Sequence, residues 1–212
     1  MLLRLPFPDI IFALSALIVA FTVHELSHGL MAYALGDNTA KYDGRLTLNP
    51  VRHIDPIGFL ILLFAGFGWA KPVMVDTRNF RYPKQDMALT AVAGPLSNFL
   101  LAFISVMLLV PLMMGPGGGI SGGLATFLSY MMQLNLVLGI FNLIPLPPLD
   151  GSKLFGVLLP DSVYFSFIGF GSRYGMIILL ILVFTGMLGN IISPLLSFGM
   201  NLLFGIARFV YM

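Results

Sequence analysis

The chain has 212 residues, of which 58% are hydrophobic and only 9% are Asp, Glu, Lys or Arg, against about a quarter in ordinary soluble domains. This composition excludes a soluble domain of ordinary size and indicates a polytopic membrane protein. The formal net charge of +2 comes without a polybasic run, so we expect no nucleic-acid partner, and the absence of cysteine excludes thiolate metal ligands.

The first apolar segment, 9–35, is long enough to cross the hydrocarbon core as a helix and ends at a Gly-Asp-Asn turn. It contains His24, Glu25 and His28 in the order His-Glu-x-x-His. On a helix this spacing puts both imidazoles on one face, where they can share a Zn²⁺ ion with Glu25 beside it as a proton carrier. The alternative is a polar helix face that only hydrogen-bonds to neighbouring helices.

A polar stretch follows the first span, and its 45–48 portion alternates polar and apolar residues as a short strand does. The next apolar segment, 57–69, contains several glycines and is too short to cross a membrane, which is typical of a re-entrant or interfacial segment. Residues 71–75 then predict a second short strand. We therefore expect short β-strands or a hairpin, together with a re-entrant segment, between the first two full spans.

Two further spans are predicted over 87–114 and 124–144, joined by an uncharged glycine-rich turn. A broken segment, 145–159, comes next because three prolines forbid an ordinary helix there. The last apolar region predicts one span over 174–190 and leaves a shorter one over 192–208 open.

These elements define the predicted fold class. The chain is expected to be an all-α polytopic membrane protein, a transmembrane helix bundle with short β-strands and a re-entrant segment, in a single domain of residues 1–212. Basic residues flank the short apolar segment, whereas the 113–123 turn has no charge. The positive-inside rule therefore places the end of the first helix in the cytoplasm, and the next two spans return Asp150 to the same half of the bilayer as His24.

A catalytic zinc ion usually has three protein ligands and an open position for water, so the two histidines need a third partner. The candidates are His53, Asp55, Asp150 and Asp161. Asp150 is favoured because it lies at the break in a membrane segment, beside Gly151, where a carboxylate can reach a metal without straining a continuous helix. His53 and Asp55 also fit ordinary turn chemistry, and Asp161 fits a loop or a helix cap.

Three runs follow one another along the chain: His24-Glu25-Leu26-Ser27-His28-Gly29, Ala93-Gly94-Pro95-Leu96-Ser97-Asn98 and Asn142-Leu143-Ile144-Pro145-Leu146-Pro147-Pro148-Leu149-Asp150-Gly151. Together they resemble the site-2 protease family of intramembrane zinc metalloproteases, and most closely its compact prokaryotic members. The resemblance covers nearly the whole chain.

The resemblance implies that His24, His28 and Asp150 are the ligands of one zinc ion per chain and that Glu25 is the catalytic glutamate. It also implies that Asn142 helps to bind the substrate backbone or the developing oxyanion.

Asn98 is a second candidate for a polar contact in the site, because it lies next to the Gly94-Pro95 helix entry. A hydrogen bond that packs two helices together explains this residue equally well.

The function that follows is hydrolysis of peptide bonds in or near the transmembrane segments of membrane proteins, as in regulated intramembrane proteolysis. The expected partners are a transmembrane protein or peptide substrate and the lipid bilayer, without a nucleotide cofactor. The expected location is a prokaryotic inner or plasma membrane, with the active site toward the cytoplasm. Two alternatives stay open: a metal-ion transporter, which needs ligands at successive depths, and a catalytically silent scaffold of the same fold.

Overall fold

The computed structural model describes residues 5–65, 68–114 and 122–211, and within these ranges the chain is mainly helical. The helices are α1 (Phe7–Ala34), α2 (Thr39–Tyr42), α3 (Pro56–Ala65), α4 (Pro83–Met114), α5 (Gly122–Asn142), α6 (Asp150–Gly156), α7 (Asp161–Phe184) and α8 (Met187–Tyr211). Five of them, α1, α4, α5, α7 and α8, are long and apolar enough to cross a membrane. The prediction of a multi-pass helical membrane protein is confirmed, and the C-terminal region contains two such helices.

Two of the spanning helices begin earlier than hydropathy predicts. In α4 the carboxylate of Asp86 accepts the N–H of Tyr82 at 2.9 Å, which holds the polar first turn in place. In α7 the chain enters the helix directly after Pro160, so the helix begins at Asp161 rather than near 174. Polar residues in the first half of α7 lower the hydropathy of the segment without breaking its helix.

The prediction of short β-strands over 45–48 and 71–75 is wrong. In the part of the chain that the structure describes, the strand pairing consists of one isolated antiparallel bridge between Ile54 and Ala70. The guanidinium of Arg45 donates instead to the carbonyls of Arg52 and Lys71, so a side chain and not a strand ladder links the two segments. Both segments are therefore held in place without forming a sheet.

The short apolar segment forms α3, a helix of 10 residues. At 1.5 Å per residue it is about 15 Å long, half the thickness of a hydrocarbon core of about 30 Å. The predicted segment 57–69 also includes residues 66–67, and the predicted turn 113–123 includes 115–121; both of these stretches lie outside the described residues.

The proline-rich run separates α5 from α6, as the sequence predicts. Helix α5 ends at Asn142, and the chain resumes a helix only at Asp150. A hydrophobic cluster of Leu149, Leu179 and Leu188 packs the end of this loop against α7 and α8. Asp150 thus lies between the packed leucine cluster, which includes its neighbour Leu149, and the first turn of α6.

Helix α4 packs against α1, α5, α6 and α8 and so lies at the centre of the bundle. Its Val106 and Val110 form a second cluster with Met132 of α5 and Ala207 of α8. The half of α4 nearer its N-terminus contacts His24 and His28 of α1, and these contacts build the site described next.

Candidate metal site

The two histidines of α1 lie one helical turn apart on the face that packs against α4. Their Nε2 atoms are 3.0 Å from each other, and the two rings meet edge to face with centroids 4.6 Å apart. Both residues are buried. The His-Glu-x-x-His spacing therefore brings both imidazoles to one point, as the sequence predicts.

Asp150 reaches the same point from the first residue of α6. Its Oδ2 is 3.3 Å from Nε2 of His24 and 3.1 Å from Nε2 of His28. Among the described residues, these three form a group whose donor atoms lie close enough together to hold one metal ion. The choice of Asp150 over the other candidates agrees with this geometry.

The remaining three ligand candidates lie elsewhere. His53 is fully buried, and its Nε2 is 2.8 Å from the carbonyl oxygen of Thr47. Asp55 accepts a backbone N–H in the first turn of α3 at 2.7 Å, and Asp161 pairs with Lys84 at 3.0 Å. Each of these side chains has a local structural partner.

The other ring nitrogen of each histidine has an acceptor that fixes its hydrogen. Nδ1 of His24 donates to Oδ1 of Asn98 at 2.6 Å, and Nδ1 of His28 donates to the backbone carbonyl of Thr90 at 2.7 Å. Because an amide or carbonyl oxygen only accepts, both Nδ1 atoms carry hydrogen and both Nε2 lone pairs point toward Asp150.

Gly94 of α4 provides the room for this arrangement. A Cβ atom at this position would lie 2.4 Å from Nε2 of His28 and 2.7 Å from Cε1 of His24. A glycine is needed here because of this close approach of backbone to imidazole. Pro95 follows it within the helix.

The three donor atoms fit a zinc ion. Ligands at 2.0–2.1 Å on a tetrahedral zinc are separated from one another by about 3.3 Å, and the observed separations are 3.0, 3.1 and 3.3 Å. Two imidazole nitrogens and one carboxylate are also a donor set that catalytic zinc uses, with the fourth position left for water.

Glu25 lies beside this group with one carboxylate oxygen held by the backbone. Its Oε2 accepts the N–H of Val73 at 2.9 Å, which ties α1 to the extended segment after α3. Burial lowers the pKa of the Arg45 guanidinium. The nearby charge of Glu25 acts in the opposite direction but does not cancel this shift. A carboxylate is thus fixed next to the possible metal site.

The two predicted substrate-contacting amides occupy different environments. Asn142 lines the cavity beside the metal site, and its Nδ2 donates to the carbonyl of Leu138 at 3.0 Å. Asn98 is fully buried behind His24, where its Nδ2 donates to Asn135 at 2.8 Å. These contacts favour the helix-packing alternative for Asn98.

A cavity of about 670 Å³ opens beside the three donor atoms. Its lining is mainly apolar and comes from helices α1 and α3 to α8 and from residues between 68 and 75. The polar lining residues include Glu25, Asn142 and Lys153. Such a space can admit an extended apolar peptide and place its backbone next to a metal and a base.

Sequence reasoning missed four contributors to the site: Val73, Thr90, Asn135 and Lys153. Val73 and Thr90 act through backbone atoms, so their side-chain types carry no signal. Asn135 is an amide within a predicted span, and Lys153 lies 3.5 Å from Asp150 at i,i+3 spacing on α6. Both of these could have been found from polarity at membrane depth and from helical spacing.

Comparisons with known proteins point to one family. The model of peptidase family M50 matches residues 110–183, a range that includes Asn142 and Asp150. YwhC of Bacillus subtilis, whose name describes it provisionally as a zinc metalloprotease, is 47% identical over 187 residues, which are 86% of this chain and 84% of that protein. No solved structure matches the chain.

Two further relatives carry the same provisional description. MJ0611 of Methanocaldococcus jannaschii is 30% identical over 158 residues, which are 70% of this chain and 72% of the relative. Rip2 of Mycolicibacterium smegmatis is 27% identical over 155 residues, which are 71% of this chain but only 57% of that protein.

Proposed function

This chain belongs to peptidase family M50 and is an intramembrane zinc metalloprotease, and from that membership we propose which residues carry the reaction and what they cut. His24, His28 and Asp150 hold the zinc ion, and Glu25 is the general base. The observation that carries this proposal is the convergence of three donor atoms, 3.0 to 3.3 Å apart, beside a fixed carboxylate.

The metal and the side chains contribute different parts of the reaction. When bound, zinc supplies a Lewis acid that activates water and polarises the scissile carbonyl. Glu25 removes the proton from the attacking water and later passes it to the departing amine. Oε2 already accepts the N–H of Val73, so we assign the proton transfer to Oε1.

The substrate is a transmembrane segment of another membrane protein, cut in or near the bilayer. The mainly apolar lining of the cavity supports this proposal, since it would accept apolar side chains on either side of the cut. A helix hides its amides in hydrogen bonds, so the target has to be locally unwound to enter. Asn142 lines the same cavity and contacts the substrate backbone or the developing oxyanion.

The enzyme acts in a prokaryotic cell membrane with its active site toward the cytoplasm. The support is the distribution of charge, because basic residues surround α3 and the polar segments on either side of it. His24 lies about 15 Å from the end of α1 on that side, at 1.5 Å per residue, which puts the chemistry below the membrane surface.

Replacing Glu25 with Gln tests the proposed role directly. The amide keeps the shape of the side chain and cannot accept the water proton, so we expect cleavage to fall by about 10²- to 10⁴-fold while zinc stays bound. The measurement is cleavage of a panel of single-span substrates by detergent-purified protein, with and without a chelator, together with the zinc content of each sample.

Asp161→Asn is the matched control, because it removes an exposed carboxylate that does not line the cavity. It should cleave at the wild-type rate. Full cleavage by the Glu25→Gln variant, or cleavage by wild-type protein that resists the chelator, would contradict the proposal. Zinc transport into vesicles without any cleavage would favour the transporter instead.

A further inference from the structure

Two asparagines lie fully buried between the spanning helices, Asn98 on α4 and Asn135 on α5. Polar side chains at this depth must find hydrogen-bond partners within the protein, because lipid offers none. Both are in contact with each other, and one of them touches a proposed zinc ligand. The pair therefore connects α5 to the site through α4.

The hydrogen bonds in this pair run in a fixed direction. Asn135 donates from Nδ2 to the carbonyl of Met131, one turn back on its own helix, at 2.8 Å. Its Oδ1 is therefore turned toward Asn98 and accepts from the Nδ2 of that residue at 2.8 Å. A second bond from the same Nδ2 reaches the carbonyl of Ala20 at 3.3 Å.

This orientation leaves the Oδ1 of Asn98 facing Nδ1 of His24, at 2.6 Å. We propose that Asn135 and Asn98 are positioning residues that hold His24 in the tautomer with hydrogen on Nδ1, so that the Nε2 lone pair stays available for zinc. The inference rests on the proposed role of His24 as a ligand. It extends the site to α5, which contributes none of the metal-binding atoms.

His24 depends on side chains for its tautomer in a way that His28 does not. Nδ1 of His28 donates to a backbone carbonyl, that of Thr90, which no substitution removes. The amide of Asn98, by contrast, could rotate by half a turn and present Nδ2 to the imidazole. That rotation would move the hydrogen to Nε2 of His24 and remove the lone pair. The acceptor on Asn135 opposes this rotation through the shorter bond, at 2.8 Å, and the carbonyl of Ala20 adds a longer one, at 3.3 Å.

The experiment compares zinc affinity in the full chain, purified in detergent, by competition with a chromophoric chelator. Asn135→Leu removes the acceptor, and we expect zinc to bind about 10- to 100-fold more weakly, the usual effect of losing a partner of a metal-bound histidine. Asn135→Asp should restore most of the affinity, because either protonation state offers an oxygen to Asn98. Ser105→Ala is the control, since this buried hydroxyl of α4 bonds only within its own helix.

A double substitution separates positioning from general stability. In an Asn98→Asp background the carboxylate can accept from Nδ1 of His24 through either oxygen, so its orientation no longer matters. Asn135→Leu should then leave zinc affinity unchanged, whereas a merely structural role would lower it in both backgrounds. The visible spectrum of the Co²⁺-substituted protein reports the ligand geometry independently of activity.

The positioning role of Asn135 and the ligand role of His24 can fail separately in this experiment. Wild-type zinc affinity in Asn135→Leu, with affinity lost in His24→Ala, overturns the inference and leaves the proposed function standing. Wild-type affinity in His24→Ala overturns the ligand assignment itself. If Asn135→Leu does not fold, Asn135→Ala removes the same amide with less bulk and is measured instead.

Discussion

At the level of single residues, Gly94 leaves no room for a side chain next to the two imidazoles. A methyl group there would lie 2.4 Å from Nε2 of His28, a distance that Cβ atoms do not adopt. We expect Gly94→Ala to displace the imidazoles and weaken zinc binding by at least about tenfold. Chelator competition on the purified protein measures this, together with thermal unfolding to show that the variant folds.

Gly205→Ala is the matched control for this substitution. It adds the same methyl group to a helical glycine of α8 that has nothing within 4 Å of the new atom. Zinc affinity should stay at the wild-type value, and the helix should become slightly more stable. Normal zinc binding in Gly94→Ala would show that α4 can move away without cost.

The residues that could be predicted from the sequence are those whose own side chains lie in the candidate metal site or beside it. His24, Glu25 and His28 follow from spacing on one helix, and Asp150 follows from its place at a proline break. Asn98 was expected as a possible substrate contact, yet its amide faces an imidazole. The direction in which this amide points depends on how α1, α4 and α5 pack together, and this packing cannot be read from one sequence.

At the level of elements, Asp37 joins the end of α1 to the segment that leads into α4. Its carboxylate accepts hydrogen bonds from Thr39, from Asn79 and from the N–H of Asp76, at 2.6 to 3.0 Å. Burial by itself would raise the pKa of Asp37, but these hydrogen bonds outweigh it and lower the pKa below its usual value. The ionised form is thus the one that the fold stabilises.

The sign of the pH dependence follows from this shift. A lowered pKa contributes stability above the unfolded value near 4, and that contribution is lost as the pH falls through the lower folded value. We expect Asp37→Asn to be less stable than wild type by about 1–3 kcal/mol at neutral pH. The difference should shrink as the pH falls below about 4. Thermal unfolding in detergent across this range measures it.

Asp43→Asn serves as the comparison, because Asp43 is exposed at the end of α2. Its stability should match wild type at every pH. An Asp37→Asn variant that is equally stable at neutral pH would mean that water replaces these hydrogen bonds.

The helices that could be predicted are those defined by long apolar runs, and the failures lie where polar atoms decide the conformation. The alternation over 45–48 resembles a strand, but the side chain of Arg45 donates to the carbonyls of Arg52 and Lys71 and the segment forms no ladder. The start of α7 was missed because polar residues lower the hydropathy of a segment that is still helical. Hydropathy indicates whether a segment lies in lipid or in water, and it does not show where the backbone becomes helical.

At the level of the whole molecule, zinc would join the first spanning helix to the short helix that follows the third. A ligand that binds only the folded state raises its stability by about 2.7 kcal/mol at one hundred times the dissociation constant. We therefore expect a chelator to lower the Tm of the wild-type protein and added zinc to restore it. Differential scanning fluorimetry in detergent measures both changes.

Two variants show whether this stabilisation passes through the proposed ligands. Glu25→Gln should show the full zinc-dependent shift, because it leaves the three donor atoms in place. Asp150→Asn should show little or none, since the loss of the anionic ligand removes the link to α6. An equal shift in both variants would place the zinc somewhere else.

The separation of the ligands along the chain has a consequence for biosynthesis. His28 and Asp150 are 122 positions apart, with two complete crossings of the bilayer between them. Under the proposed ligand assignment, a nascent polypeptide that has inserted only α1 lacks the third donor, so it has no complete centre with which to cut its neighbours at the translocon. Hydrolytic capacity is then gained only when α6 has packed near α1, which makes correct assembly a precondition of cutting.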